Sequence, residues 1–175
     1  MSGAIFVVDI ASCTGCGTCS IACKDRSGLP DDLDFLSVEE HEGGIYPEPT
    51  LHYRVIHCFH CAQPACAAAC PVEAISKEED GLVVINADEC TGCGECITAC
   101  PFDAIVMLSE DIAAKCDSCA DEVARGWRPT CVRACSMRAL SYVPMEDAQL
   151  EKRFSDPDFR DHGIGPGVLY LLREQ

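Results

Sequence analysis

Cysteine is the residue type that could carry chemistry in this chain, because it occurs 16 times in 175 residues at regular spacing. The cysteines fall into four groups of four, namely Cys13, Cys16, Cys19 and Cys23; Cys58, Cys61, Cys66 and Cys70; Cys90, Cys93, Cys96 and Cys100; and Cys116, Cys119, Cys131 and Cys135. Thiolates are ligands of zinc and of iron-sulfur clusters. A fourfold repeat therefore predicts metal centres rather than scattered core cysteines.

The first and third groups have the spacing C-x2-C-x2-C-x3-C, and Pro101 follows the last cysteine of the third group. This spacing is typical of the 4Fe-4S clusters of bacterial ferredoxins. Three thiolates of one loop can bind one cluster, whereas the trailing cysteine ligates a neighbouring cluster. The groups must therefore work in pairs, and four groups predict four 4Fe-4S clusters in two ferredoxin-like modules.

Disulfide bonds and structural zinc are the alternative uses of these cysteines. Disulfide scaffolds belong to oxidising compartments, and residues 1–8 have neither the basic start nor the long apolar stretch of a signal peptide. Zinc suits the C-x2-C pairs of the second and fourth groups. It suits the first and third groups poorly, because zinc fingers use two pairs separated by a spacer. A zinc-bound interaction protein is therefore the weaker alternative.

Composition and charge narrow the choice of function. Cysteine supplies 16 of the residues in a hydrophobic share of 48%, which leaves a lean core and suggests that bound metal supplies folding free energy. The formal net charge of −16 excludes nucleic acid as a partner, because phosphates would be repelled. No apolar run approaches the ~18 residues of a membrane span. We expect a cytoplasmic protein.

The charges are distributed unevenly along the chain. Residues 31–48 contain no Lys or Arg and seven acidic residues, which are Asp31, Asp32, Asp34, Glu39, Glu40, Glu42 and Glu48. They predict either a solvated loop or a docking surface for a basic partner. Five cations accompany the fourth cysteine group, namely Lys115, Arg125, Arg128, Arg133 and Arg138. These cations are either solvated or placed to raise the potential of a nearby cluster.

Short elements must position the cysteines. The segments 70–75, 100–105 and 135–140 repeat one unit, in which a turn and then an apolar residue follow the last cysteine of a group. Candidate strands are 4–9, 53–57, 82–86 and 140–143, whereas 24–51 is rich in Gly, Pro and acid and is predicted to be mostly loop. We expect an α+β fold of short antiparallel ribbons and short helices, arranged as two pseudo-symmetric bacterial-ferredoxin-like modules around the clusters.

The segment 144–175 has a different pattern. Met145, Leu150 and Phe154 are spaced as on a short helix. After several Gly and Pro residues, 168–172 reads as an apolar strand. This strand is predicted either to pack back on the chain or to insert into a partner subunit, because exposed apolar strands invite pairing.

No motif indicates that the chain is an enzyme by itself. The sequence has no phosphate-binding loop or dinucleotide fingerprint, since Gly92 and Gly94 belong to a ligand loop. His57 and His60 flank Cys58 closely, and the complete cysteine set leaves them to hydrogen bond to cluster sulfur or to the backbone. We predict no catalytic residue, and a function in one-electron transfer.

Two further motifs carry a resemblance to a known family. The second group reads C-F-H-C-A-Q-P-A-C from Cys58, and the fourth begins K-C-D-S-C from Lys115, with eleven residues between Cys119 and Cys131. In this order the four groups resemble those of the four-cluster iron-sulfur subunits of molybdopterin oxidoreductases, the dimethyl sulfoxide reductase iron-sulfur subunit family. The resemblance covers residues 4–143.

The resemblance implies that the first group pairs with the fourth, and the second with the third. The implied ligands are Cys13, Cys16, Cys19 and Cys135 for cluster one; Cys116, Cys119, Cys131 and Cys23 for cluster two; Cys58, Cys61, Cys66 and Cys100 for cluster three; and Cys90, Cys93, Cys96 and Cys70 for cluster four. A four-cluster domain at 1–143 would then consist of an inner module, 52–110, and an outer module, 1–51 with 111–143. Cluster one would face the catalytic subunit, and cluster four would lie at the far end.

The resemblance also implies a partner. This would be the large molybdenum- or tungsten-pterin catalytic subunit of an anaerobic oxidoreductase. The small size resembles that of the subunits that accompany tungsten aldehyde oxidoreductases, whereas a molybdenum enzyme acting on formate, thiosulfate or a sulfoxide is equally compatible. A flavin subunit, another redox carrier or further copies of the chain are additional candidate partners. The alternative function is a free polyferredoxin that shuttles electrons between several enzymes.

Overall fold

The computed structural model of the chain describes residues 3–148 and 159–172. Short strands and short helices alternate along it, in the order β1 (Ala4–Asp9), α1 (Thr18–Ser27), β2 (Leu36–Ile45), β3 (Glu48–His57), α2 (Ala65–Ala68), β4 (Ile75–Lys77), β5 (Val83–Ile85), α3 (Glu95–Ala99), β6 (Ile105–Ser109), β7 (Ile112–Lys115), α4 (Ala120–Ala124), α5 (Thr130–Ala134), β8 (Leu140–Pro144) and β9 (Val168–Leu171). The predicted α+β class is confirmed.

The strands form four small sheets. Three are antiparallel ribbons made of β2 with β3, β4 with β5, and β6 with β7. The fourth is a three-stranded sheet in the order β8-β1-β9, in which β1 runs antiparallel to β8 and parallel to β9. The predicted antiparallel ribbons are therefore present, and one mixed sheet accompanies them.

The expectation of a mostly irregular segment at 24–51 is wrong. The helix α1 continues to Ser27, and β2 and β3 pair over ten residues each, from Leu36 with His57 to Ile45 with Glu48. Glycine and acidic residues suggest a loop by composition. Here they are tolerated in strands because residues 42–51 are exposed on both faces of the ribbon, where no apolar core excludes charge. The acidic stretch is thus largely part of a projecting hairpin.

The apolar segment at 168–172 packs on the chain itself, which confirms the first of its two interpretations. Val168, Leu169 and Tyr170 of β9 are almost fully buried, and the Tyr170 hydroxyl donates to the Val55 carbonyl over 2.8 Å. Most of the helix predicted before this segment lies outside the described residues, since Leu150 and Phe154 fall there. Met145 lies in a turn after β8.

The core is built partly from cysteine. One hydrophobic cluster combines Phe6, Val8 and Tyr170 with the buried Cys19, Cys23 and Cys131. Phe59 joins the same core and contacts Phe102 edge to face, with ring centroids 4.8 Å apart. Groups bound to these thiols would therefore stand where an ordinary core has aliphatic side chains.

The turns after the last cysteines of three groups share one backbone conformation. The third residue after Cys70, Cys100 and Cys135 has positive φ, between 49° and 55°, and its N–H bonds to the cysteine carbonyl. Two buried residues follow each turn, and the second of them begins β4, β6 or β8; these residues are Ala74 and Ile75, Ala104 and Ile105, and Ala139 and Leu140. The predicted repeating unit is confirmed, and it holds each cysteine next to a strand.

Candidate iron-sulfur cluster sites

All four ligand loops reverse direction in the same way. The residue two positions after the first cysteine has a left-handed backbone in every group, with φ of 67° at Gly15, 47° at His60, 65° at Gly92 and 55° at Ser118. This conformation costs glycine little and other residues more. A side chain at Gly15 would also collide with the Tyr53 ring, and one at Gly92 with the backbone at Glu110 and Asp111. Glycine is therefore required in the first and third loops.

The structure brings the sixteen cysteines together in four sets, each of which combines two groups. Each set consists of the first three cysteines of one group and the last cysteine of another group. We name the sets after one member: the Cys13 set (Cys13, Cys16, Cys19, Cys135), the Cys116 set (Cys23, Cys116, Cys119, Cys131), the Cys58 set (Cys58, Cys61, Cys66, Cys100) and the Cys90 set (Cys70, Cys90, Cys93, Cys96).

Three of the sets line cavities of similar size. The cavities of the Cys13, Cys58 and Cys90 sets comprise about 330, 370 and 330 Å³ of space, part of which is open to solvent. Apolar side chains complete their walls, for example Val38 and Val55 beside the Cys13 set and Val83 and Phe102 beside the Cys58 set. Each cavity therefore offers four thiols in an apolar enclosure.

Three cysteines of the Cys116 set come from the fourth group, and all four of its members are buried. Cys23 and Cys131 meet because α1 packs against α5. Burial and the nearby Cys119 raise the pKa of Cys23 to about 11, and burial, Cys119 and Cys23 also raise the pKa of Cys131. Four such thiols resist losing their protons without a cation among them, since their thiolates would repel one another.

Backbone amides point at several of the sulfurs. The N–H groups of Ser118, Thr130 and Ala139 donate to the Sγ atoms of Cys116, Cys119 and Cys135 over 3.4, 3.4 and 3.2 Å. Such bonds favour negative charge on the ligand sulfur and tune the potential of a bound cluster.

The donor chemistry of the sets fits a 4Fe-4S cluster, which takes four cysteine thiolates. Within residues 3–148 and 159–172 no group of three or more His, Cys, Asp or Glu side chains is spaced to hold a single metal ion. All sixteen cysteines are free thiols. Bound clusters would supply one-electron redox chemistry, and the residues around them would supply position and charge.

The sets lie in a row. Cys19 of the Cys13 set and Cys131 of the Cys116 set interact within the main core, which Cys61 of the Cys58 set also borders. Cys116 packs with Cys58 in a smaller apolar cluster. The Cys58 and Cys90 sets share a third cluster that includes Cys66 and Cys96. The outermost sets each have one exposed cysteine, Cys16 at one end and Cys93 at the other. The order is therefore Cys13, Cys116, Cys58, Cys90, with both ends open to solvent.

The arginines near the Cys116 set are paired with carboxylates. Arg26 bonds to Asp117 over 3.1 Å and contacts Asp121, and Arg133 bonds to Glu122 over 2.5 Å. Arg26, which comes from the helix of the first cysteine group, was not among the cations singled out in the sequence. Its partners lie more than ninety positions away in the chain, so no local sequence pattern indicates the pairing.

Two lysines bond to backbone carbonyls near the Cys58 set. The Lys77 Nζ donates to the carbonyls of His60, Cys61 and Gly81, each over 2.9 Å. The Lys115 Nζ donates to the Val83 carbonyl and, over 3.3 Å, to the Cys116 carbonyl. Burial and Cys58 raise the pKa of Cys66 to about 11, while the Lys115 ammonium opposes that rise. Lys115 thus acts on the Cys58 set as well as on its own neighbour in the sequence.

His57 and His60 hydrogen bond to the backbone, which is one of the two roles predicted for them from the sequence. The His57 Nδ1–H donates to the Cys58 carbonyl, and the Val83 N–H donates to His60 Nδ1, both over 2.8 Å. Burial lowers the pKa of His57 to about 4, and burial with Lys115 lowers that of His60 to about 2. Both rings are therefore neutral at pH 7.

No helix among the described residues has the length and apolar character to cross a membrane.

Two family models match the chain. A 4Fe-4S dicluster domain matches residues 50–144, and a 4Fe-4S binding domain matches residues 10–26. The first match contains the second, third and fourth cysteine groups, and the second match contains the first group. The protein is therefore an iron-sulfur protein whose cofactors are multiple 4Fe-4S clusters, which contradicts the zinc and disulfide alternatives.

Curated relatives define the family more closely. One chain of the anaerobic dimethyl sulfoxide reductase of Escherichia coli is 39% identical over 178 residues, covering 94% of this chain and 86% of that protein. A thiosulfate reductase electron transfer subunit of Salmonella typhi is 27% identical over 176 residues, covering 98% and 92%. A selenate reductase subunit of Mesobacillus selenatarsenatis is 41% identical over 100 residues, covering 57% and 34%. The protein belongs to the dimethyl sulfoxide reductase iron-sulfur subunit family.

Proposed function

We propose that the chain is the electron-transfer subunit of a molybdenum-pterin reductase complex and is not an enzyme by itself. The observation that carries this proposal is the row of four thiol sets with one exposed cysteine at each end. Neighbouring sets share apolar clusters, so bound clusters would be close enough to exchange electrons in sequence. Relatives named as subunits of dimethyl sulfoxide, selenate and thiosulfate reductases support the same function.

Each thiol set is proposed to ligate one cluster, so that the Cys13, Cys116, Cys58 and Cys90 sets hold clusters one, two, three and four. Their four-thiol cavities and mutual electrostatic contacts support this assignment. Because the Cys58 and Cys90 sets draw only on the second and third groups, they support an inner module at 52–110. The other two sets support an outer module formed by 1–51 and 111–143.

The catalytic subunit is proposed to dock at the Cys13 end. The hairpin of β2 and β3 forms one wall of that site through Val38 and Val55, and then projects into solvent. Its tip exposes Ile45 and Tyr46, which are 84% and 95% exposed, between the acidic residues of the two strands. An apolar tip on an acidic arm suits a basic groove with an apolar floor. A partner that grips this arm would also cover the exposed Cys16.

Further features of the complex stay predictions. One is a tungsten aldehyde oxidoreductase as partner. The relatives named above do not test it, because they are named for sulfoxide, selenate and thiosulfate reduction. A flavin subunit, a redox carrier or a second copy at the Cys93 end is another. A cytoplasmic location is a third. Metal analysis of the native complex and cell fractionation test these points.

Anaerobic purification of the native complex tests the proposed function. We expect the chain to carry roughly 16 iron atoms and as many labile sulfides, as four clusters require. We also expect a large pterin-containing subunit to co-purify, and reduction of its substrate to oxidise the clusters. An iron-loaded chain that purifies alone and exchanges electrons with several unrelated enzymes would indicate the free polyferredoxin instead.

A further inference from the structure

Lys115 is a buried cation between two thiol sets. Its side chain is on the last residue of β7, directly before Cys116, and the residue is only 8% exposed. The Nζ donates to the carbonyl of Val83, which lines the Cys58 cavity, and to that of Cys116. The ammonium therefore lies at the wall of one set and beside a ligand of the next.

No carboxylate in residues 3–148 and 159–172 lies within ion-pair distance of the Lys115 Nζ. Burying an ammonium is costly unless an opposite charge compensates it. Two carbonyl oxygens satisfy hydrogen bonds but supply no net charge. Lys115 does interact electrostatically with Cys66, a member of the Cys58 set. This contrasts with Arg26, whose charge is balanced by Asp117 and Asp121.

Lys77, the last residue of β4, provides a comparison near the same set. It also donates only to backbone carbonyls, including those of His60 and Cys61 in the Cys58 set's loop. Unlike Lys115, it is exposed to solvent. Water and salt screen an exposed charge far more than a buried one. Lys77 thus bonds to the second ligand loop itself, whereas Lys115 is the lysine whose charge is buried and weakly screened.

We propose that Lys115 sets the potential of cluster three, bound by the Cys58 set, by stabilising its reduced form. Reduction adds one electron and breaks no bond, so the product carries one more negative charge, which the ammonium favours. The electron comes from the neighbouring cluster in the row. Cluster three then holds the electron more firmly than it would without Lys115. This inference rests on the proposed function, because it requires clusters in these sets.

Potentiometric titration of the full chain, followed by electron paramagnetic resonance, tests the proposal. The informative variant is Lys115→Gln, whose amide can still donate to both carbonyls but carries no charge. We expect its iron content to match the wild type, and one of the four potentials to fall. The expected change is at least tenfold in the equilibrium constant for reduction, which is about 59 mV for one electron. Lys115→Met repeats the test without any donor.

Two control variants separate charge from structure. Lys115→Arg keeps the positive charge, and we expect its equilibrium constant for reduction to stay within about twofold of the wild-type value. Arg125→Gln removes an exposed charge near the neighbouring Cys116 set and is expected to change it less than about twofold, because of screening.

Unchanged potentials in an iron-replete Lys115→Gln or Lys115→Met variant would overturn the proposal. Loss of iron from the Gln, Met and Arg variants alike would also overturn it, since Lys115 would then have a structural role that charge does not explain. A wild-type chain without any iron or sulfide is a different result. It would contradict the proposed function itself.

Discussion

The first and third ligand loops have nearly the same sequence but lead into different structures. Both read C-T-G-C-G, and both enter a helix after a left-handed glycine, Gly17 or Gly94. The third loop continues into the short helix α3 and the turn after Cys100. The first continues through the ten-residue helix α1 into the projecting hairpin. A cluster-binding loop is thus a local unit, and the segment after it distinguishes one end of the row from the other.

The two ends differ in their surroundings, and we propose that they have different roles. At the Cys13 end, the exposed Cys16 lies beside an arm with an apolar tip. At the Cys90 end, the exposed Cys93 lies beside the small ribbons of β4 to β7, and no segment within residues 3–148 and 159–172 forms such an arm there. An end with an arm suits a lasting complex, whereas an end without one suits a transient redox contact, which buries less area.

The largest expected effect follows removal of iron, which tests whether either end can fold without clusters. Buried cysteines belong to the core at both ends, and metal binding supplies folding free energy in such proteins. We expect the iron-free chain to lose most of its tertiary structure, as measured by near-ultraviolet circular dichroism and amide hydrogen exchange. Chelator treatment that left amide protection intact in β1, β8 and β9 would contradict this expectation.

The next largest effect separates the ends through their exposed ligands. Cys16→Ala and Cys93→Ala should each convert or delete one cluster and remove up to roughly 4 of 16 iron atoms. Cys16→Ala should abolish electron exchange with the catalytic subunit, whereas Cys93→Ala should abolish exchange with the other redox partner. Electron paramagnetic resonance should show one cluster signal fewer in each reduced variant. An unchanged spectrum would refute the assignment of that cysteine.

A smaller effect is expected at the hairpin tip. If Tyr46 is a buried anchor of the interface, Tyr46→Ala should weaken the affinity for the co-purifying large subunit, with a loss of about 2 kcal/mol, or roughly 30-fold in Kd. The matched control is Leu108→Ala, which removes another exposed apolar side chain on the β6–β7 ribbon. Calorimetry or surface plasmon resonance measures both. Equal effects of the two substitutions would remove the distinction between the ends.

The smallest effect concerns two glycines of the third loop. Gly92→Ala introduces both left-handed strain and a collision with the backbone near Asp111, whereas Gly94→Ala has open space and introduces strain alone. Strain of this kind costs about 1–2 kcal/mol. We therefore expect Gly94→Ala to lower the temperature of cluster loss by a few degrees and Gly92→Ala to lower it further. Visible absorbance during heating measures both, and the reverse order would contradict the close approach.

Local features are the ones that the sequence predicts well. The cysteine spacing and the units 70–75, 100–105 and 135–140 specify turns through residues that are neighbours in the chain, and the structure reproduces these turns. The ten-residue pairing of β2 with β3 was missed because acid and glycine mask strands that are exposed on both faces. The pairing of Arg26 with Asp117 was missed because tertiary structure alone joins them.

Lys115 illustrates both the predictable and the unpredictable part of the site. Its position before Cys116 marks it as a cation near a ligand, which the sequence does predict. Its contact with Val83, 32 residues earlier in the chain, depends on how the β4–β5 and β6–β7 ribbons lie together. The sequence thus predicts a cation near a ligand, but it does not predict which cluster that cation acts on.

The parallel pairing of β1 with β9 bears on how the protein is made. Residues 164–167 bond to the second ligand loop: the Gly167 N–H donates to the Phe59 carbonyl, and the Ala62 N–H donates to the Gly165 carbonyl. Ile164 also lines the Cys58 cavity. This cover reaches its place only after β9 has left the ribosome and joined the first strand. Until then, this side of the Cys58 set is uncovered, so these hydrogen bonds form only after all four cysteine groups have been synthesised.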